Sequence, residues 1–253
     1  MFRVAKQIGW VLTMAVVLLS VPRLGGFVAS QFDYSSVDPD GAFAWISVHH
    51  VVQALIFLAM MIPITRAGRI NFGLGWGDRK TGFRFVRLFV LIFAGYTVVS
   101  MVIVFATGTF RTFPYTPTAR NIAGQLAFQL LLSGPSEELI FRSFAITMLA
   151  SVVKGGLFNG RVSGANIIAA LIFGIAHVDV SFAPFVLTYD LFQVLYAITL
   201  GVFYGICFER SRSVYYPMMM HSISNLVAVG VSITATAIIG QNFAFILNYY
   251  FIT

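Results

Sequence analysis

The sequence predicts an all-α, polytopic transmembrane helical bundle of about eight spans. Three observations carry that expectation. Apolar residues make up 58% of the chain and charged residues 10%, and the mean hydropathy is +0.87; a soluble domain carries roughly 25% charged residues. The apolar residues come in continuous runs, each close to the ~20 residues that a helix needs to cross hydrocarbon. A membrane barrel would show alternation instead. Finally, the basic residues collect in the short stretches between the runs.

The runs place spans near residues 7–29, 42–64, 86–107, 121–149, 163–183, 188–208, 214–233 and 234–252, in one membrane domain over 1–253. The last two are short enough to form a single broken unit. The start resembles a signal peptide: Arg3 and Lys6 precede the run Ile8–Val21, and small residues follow at Ala29 and Ser30. An uncleaved first span is the better reading, with Pro22 kinking the helix and Arg23 snorkelling. Arg66, Arg69, Arg79, Lys80, Arg84 and Arg87 fall in one loop, Lys154 and Arg161 in another, Arg210 and Arg212 in a third. Alternation puts these on the N-terminal side, which the positive-inside rule makes cytoplasmic. Asp33, Asp38 and Asp40 fall on the opposite side, where Arg111 and Arg120 are the exceptions. The 66–87 loop, with Gly73, Gly75, Gly77, Phe83 and Phe85, reads as an interfacial segment. The expected location is a multi-pass protein of a prokaryotic cell membrane, since no eukaryotic-looking extension is seen.

These features exclude several functions. The net charge of +7 belongs to loops beside a bilayer, so the bilayer and not nucleic acid is the expected partner. Cys207 is the single cysteine, which removes a disulfide framework and a cysteine metal cluster; its apolar neighbours make it a poor nucleophile. No internal repeat supports a transporter. Oligomeric state is not written in the sequence.

An ionisable group costs about 2.5–3.5 kcal/mol at the centre of a span, so those inside apolar runs are the candidate functional residues. Glu137, Glu138 and Arg142 form the first group. Glu138 and Arg142 are four apart and can pair on one helix face. Glu137 points about 100° away, without that partner. The spacing separates a neutralised carboxylate from a free one, as a general base supported by an ion pair requires. Gly134 and Pro135 should kink or restart the helix and admit water. The alternative is a helix-locking pair with a second, snorkelling Glu.

His177 follows Phe173 by one turn, and its alternative role is packing. His221 and Asn225 share a face; both can donate to a developing oxyanion, or they make interhelical hydrogen bonds. His49 and His50 face different ways, have no acid near them in sequence, and read as packing or interfacial residues. Asp179 and Asp190 read as solvated charges at span ends. Together, one carboxylate, two histidines and an amide suit hydrolysis of a carbonyl substrate.

The ordered set Glu137-Glu138-x-x-x-Arg142, Phe173-x-x-x-His177, His221-x-x-x-Asn225 resembles the CPBP group, the type II CAAX prenyl proteases and bacteriocin-processing enzymes also called the Abi family. Gly201 to Gly205, the stretch Glu209-Arg210-Ser211-Arg212-Ser213 and Pro217 are similar too, so the likeness covers about residues 120–230. It implies a glutamic intramembrane endopeptidase without a metal cofactor. Glu137 would be the base, His177 would serve the water, and His221 and Asn225 would hold the oxyanion, with Glu138, Arg142 and Phe173 in support. The substrate implied is a membrane-associated or lipidated peptide or protein. Pro135 sits one position closer to the acidic pair than is usual in the family, and Ser143 stands where a glycine is usual. Both bear on local helix packing. The competing readings are a zinc protease using His177, His221 and a Glu as ligands, although no HExxH pair is present, and a non-catalytic scaffold or immunity protein. The span limits leave one conflict: His221 lies near the cytoplasmic end of its span and His177 toward the far side, yet a working site needs them together.

Overall fold

In the computed structural model, which describes residues 2–68, 70–109 and 112–251, polarity is arranged for lipid. Long helices turn apolar side chains outward: Val4, Ile8, Leu12 and Val16 are 56–64% exposed on one helix, and Leu91, Ile92, Val98 and Val102 are 58–73% exposed on another. Polar groups turn inward: Gln53, Gln125, Ser133, Ser136, Glu138, Arg142, Asn166 and His221 are all buried. In water that pattern would be unfavourable on both faces; in a bilayer it is required.

Among the described residues the fold is made of seven helices, and the structure is 73% helical. They are α1 (Phe2–Ala29), α2 (Ala44–Gly68), α3 (Arg79–Thr107), α4 (residues 119–150), α5 (Gly164–Ile175), α6 (Leu191–Ser211) and α7 (Tyr215–Phe251). Among the described residues five helices, α1, α2, α3, α6 and α7, are long and apolar enough to cross a membrane. Two short antiparallel hairpins join α4 to α5 (β1, Gly156–Leu157, with β2, Val162–Ser163) and α5 to α6 (β3, Asp179–Phe182, with β4, Phe185–Thr188).

Local chemistry sets the helix starts. Asp78 accepts from the Thr81 N–H at the start of α3, Thr118 from Asn121 on α4, Ser163 from Asn166 on α5, and Asp190 from Phe192 and Gln193 on α6. Each satisfies an N–H that the helix leaves open. Asp190 is therefore a cap as well as a boundary charge.

Helix α1 is packed into the bundle. Leu18 is fully buried, Gln7 Nε2 donates to the Val152 carbonyl and Trp10 Nε1 to that of Met148. Gly25 lets α1 approach α2 closely, because a Cβ there would lie 2.9 Å from both the His49 ring and its carbonyl. The core is built from α1, α2, α4, α5 and α6, around Leu18, Phe57, Met61, Ile140, Phe144 and Leu149.

The structure redraws three of the sequence-predicted segments. The 163–183 segment is a helix of 12 residues, about 18 Å long and too short to span; a turn and the β3–β4 hairpin complete it. The segments expected at 214–233 and 234–252 merge into one continuous helix, α7, over Tyr215–Phe251. The 66–87 loop divides: its second half is the start of α3, and Phe72 inserts into the bundle, 2% exposed and stacked on Phe144 with ring centroids 6.0 Å apart. Gly73 and Gly77 adopt φ of +68° and +50° where the loop crosses Phe208, Ser211 and Arg212, a conformation open to glycine. Ser143, the substitute for the family glycine, donates from Oγ to the Phe72 carbonyl at 2.6 Å, so it fastens this loop to α4. Of the basic loop residues, Arg69 and Arg111 lie outside the described residues.

Candidate active site

The site forms where α4 changes its winding. Residues 119–150 run as α-helix (Ala119–Phe128), π-helix (Gln129–Ser133), α-helix (Gly134–Glu138), π-helix (Leu139–Phe144) and α-helix (Ala145–Ala150). π segments are rare and frequent at functional sites. Pro135 lies at the first turn of the short Gly134–Glu138 segment, so the expected restart of the helix occurs through a π segment. Gly134 brings α4 against α7: a Cβ there would lie 2.9 Å from the Ser222 backbone nitrogen and 3.1 Å from the His221 Cβ.

The two carboxylates have different surroundings. Glu138 has a fully buried side chain. Its Oε2 lies 3.0 Å from Arg142 Nε, an ion pair whose N–H is not aimed at the oxygen. Its Oε1 accepts from His221 Nδ1 at 2.8 Å. Arg142 is also fully buried, 4.5 Å over the Phe173 ring and 5.6 Å from that of Tyr204. Glu137 keeps 20% of its side chain exposed. Oε1 is 3.3 Å from His50 Nε2, and Oε2 is 3.7 Å from His221 Nε2.

Glu137, His177, His221 and Asn225 line one cavity of about 250 Å³, with Gln129, Ser133 and Gln193 among the other walls. The shortness of α5 resolves the conflict over depth. His177 sits in the turn just past the end of that helix, partway through the bundle, and the Phe173 carbonyl accepts from its Nδ1 at 2.8 Å. In a neutral ring so bonded, Nε2 is left as an acceptor. Asn225 Nδ2 donates to Ser133 Oγ at 3.0 Å. Phe173 sits between these groups, with ring centroids 4.9 Å from His177 and 6.2 Å from His221. All seven residues picked from sequence thus gather around one point. Among the described residues, no group of three His, Cys, Asp or Glu side chains is arranged to hold a metal ion.

Residues 119–227 match the family model of the type II CAAX prenyl endopeptidases, Rce1-like. That stretch is similar to the Rce1-like endopeptidase domains and lies within the helical bundle. No curated protein and no solved structure matches the chain.

The Rce1-like stretch contains the acidic pair and its partners on α5 and α7, but two neighbours of the site on other helices lie well outside it. One is His50, on α2. The other is the far wall, on α3, of a second cavity of about 250 Å³. That cavity is apolar, with Phe93, Tyr96, Met101, Phe192, Tyr196 and Val231 in its walls, and it shares Gln193 and Ala228 with the first.

Proposed function

We propose that the chain is a metal-free glutamic intramembrane endopeptidase that hydrolyses a peptide bond in a membrane-associated or lipidated peptide or protein. The observation that carries this reading is the convergence of one partly open carboxylate, two imidazoles and one amide on a single cavity inside an Rce1-like domain.

In this mechanism a water molecule sits between Glu137 and His177. His177 Nε2 accepts one O–H and orients it. Glu137 takes the other proton as the oxygen attacks the scissile carbonyl carbon. The developing oxyanion receives hydrogen bonds from Asn225, whose amide has a second N–H beyond the one given to Ser133, and from His221 Nε2. Since His221 Nδ1 is committed to Glu138, donation from Nε2 requires the doubly protonated ring, which Glu138 Oε1 at 2.8 Å and Glu137 Oε2 at 3.7 Å flank. Collapse of the tetrahedral intermediate breaks the C–N bond as Glu137 returns its proton to the leaving nitrogen. Glu138 and Arg142 hold His221 in place. The neighbouring apolar cavity suits a lipid group or bulky apolar side chains beside the scissile bond. With the basic loops facing the cytoplasm, the N-terminus is cytoplasmic.

Glu137→Gln tests the reading. It keeps the size and hydrogen-bonding capacity of the side chain and removes the base. Expected is loss of peptide cleavage with membrane insertion and folding intact; unchanged cleavage refutes the mechanism. Comparing membrane peptides that accumulate with active and Glu137→Gln protein identifies the substrate.

A further inference from the structure

His50 lies on a helix that the Rce1-like match does not reach, 87 residues from Glu137 in sequence. It is 7% exposed, and its ring is fixed from two sides. Nδ1 is 2.9 Å from the Ile46 carbonyl, and the Phe128 ring meets it edge-on at 4.9 Å. A carbonyl only accepts, so Nδ1 carries a hydrogen. Nε2 then faces Glu137 Oε1 at 3.3 Å. A neutral ring and a carboxylate would present two acceptors to each other, so the contact holds one proton. It is either an imidazolium against a carboxylate or an imidazole against a carboxylic acid. Oε1 is engaged in both forms, but only the first leaves Glu137 a carboxylate, with Oε2, on the His221 side, free for chemistry. Three residues along the same helix, Gln53 Nε2 donates to Ser136 Oγ at 3.2 Å. Helix α2 therefore grips the segment carrying the acidic pair at two adjacent points.

We infer that His50 is a positioning residue for the reaction: by engaging Glu137 Oε1 it turns Oε2 toward the cavity, where it takes the proton from water. The inference rests on Glu137 being the base. The proton inventory closes with the shared proton on His50 Nε2: the Glu137 carboxylate takes the proton from water at Oε2 and gives it to the leaving amine.

Two measurements test it, on the full chain in detergent and in liposomes. The first is a melting cycle of wild type, His50→Phe, Glu137→Gln and the double variant. Expected is a double-variant loss smaller than the sum of the single losses, because each single change already breaks the same contact; additive losses overturn the inference. The second is cleavage of a quenched fluorescent farnesylated CAAX peptide. His50→Phe keeps an aromatic ring without a donor, and should lower kcat about 100-fold, the scale of a small misplacement of a catalytic group, with KM within about twofold. His50→Gln, which places an N–H near the Nε2 position, should recover kcat to within about 10-fold of wild type. Phenylalanine at wild-type kcat, or glutamine no better than phenylalanine, overturns the inference. A wild-type protein that leaves this peptide uncut counts against the proposed lipidated substrate, and the melting cycle then decides on the His50 contact alone.

Discussion

Glu138→Gln should destabilise the protein far more than its conservative chemistry suggests. Arg142 is fully buried, and Glu138 is its ion partner at 3.0 Å. Its nitrogens make no hydrogen bond among the described residues, so the amide would leave a buried guanidinium facing only the rings of Phe173 and Tyr204. Removing one partner of a buried pair costs about 3–5 kcal/mol, and the cation–π contacts, present with either residue, do not reduce that difference. The reverse change, Arg142→Gln, is milder. Glu138 still accepts from His221 Nδ1 at 2.8 Å, a charge-assisted bond contributing roughly 1.5–3 kcal/mol. The predicted order is therefore Glu138→Gln worst and Arg142→Gln intermediate, with the double variant better than Glu138→Gln alone. Reversible unfolding of the purified chain in bicelles reads all three. A Glu138→Gln loss below ~1 kcal/mol, or Arg142→Gln proving the worse, refutes the argument that Glu138 neutralises this arginine.

Asn225→Ala should lower kcat by about 10²–10³-fold, as loss of one oxyanion donor does elsewhere, with the fold retained; steady-state cleavage by the purified chain measures it. Treatment with 1,10-phenanthroline or EDTA should leave cleavage unchanged, and inhibition that added zinc reverses would favour the zinc reading. A pH effect is expected from Asp38, in the loop between α1 and α2. Burial pushes its carboxyl upward, but hydrogen bonds from the N–H groups of Ala44, Phe43 and Ala42, together with the Arg120 charge, outweigh burial and hold it below its ordinary value of 3.8. A carboxyl lowered on folding stabilises above its unfolded value and loses that contribution as pH falls through the folded one. Asp38→Ala should therefore cost about 1–3 kcal/mol near neutral pH. Melting curves should show the gap to wild type closing below about pH 4.

What was legible in the sequence is what composition and single-helix spacing encode. The bundle followed from apolar runs, and the split between Glu138 and Glu137 followed from Arg142 four residues on. Features set by packing between helices, or by a change of winding inside one, were not legible. The end of α5 at Ile175 was hard to read because the hairpin that follows is itself apolar, with Phe185, Val186 and Leu187 47–68% exposed, and so prolongs the apolar run that the helix begins. That misread length made His177 seem too distant. The π segments around the acidic pair carry no residue signature either.

His50 is the instructive miss. Its partner lies on another helix, so the absence of a nearby acid in sequence was no evidence against a role. The usable signal was on its own helix. His50, Gln53, Phe57 and Met61 are the buried residues of α2, at helical spacing along one face. Two polar residues three apart at one end of a stripe that faces a core in lipid must find polar partners. The sequence offers a single pair of adjacent acidic residues within an apolar run, Glu137 and Glu138. Setting that demand against that supply would have placed α2 beside the acidic pair before any coordinates, and made His50 a candidate where neighbouring residues alone made it packing.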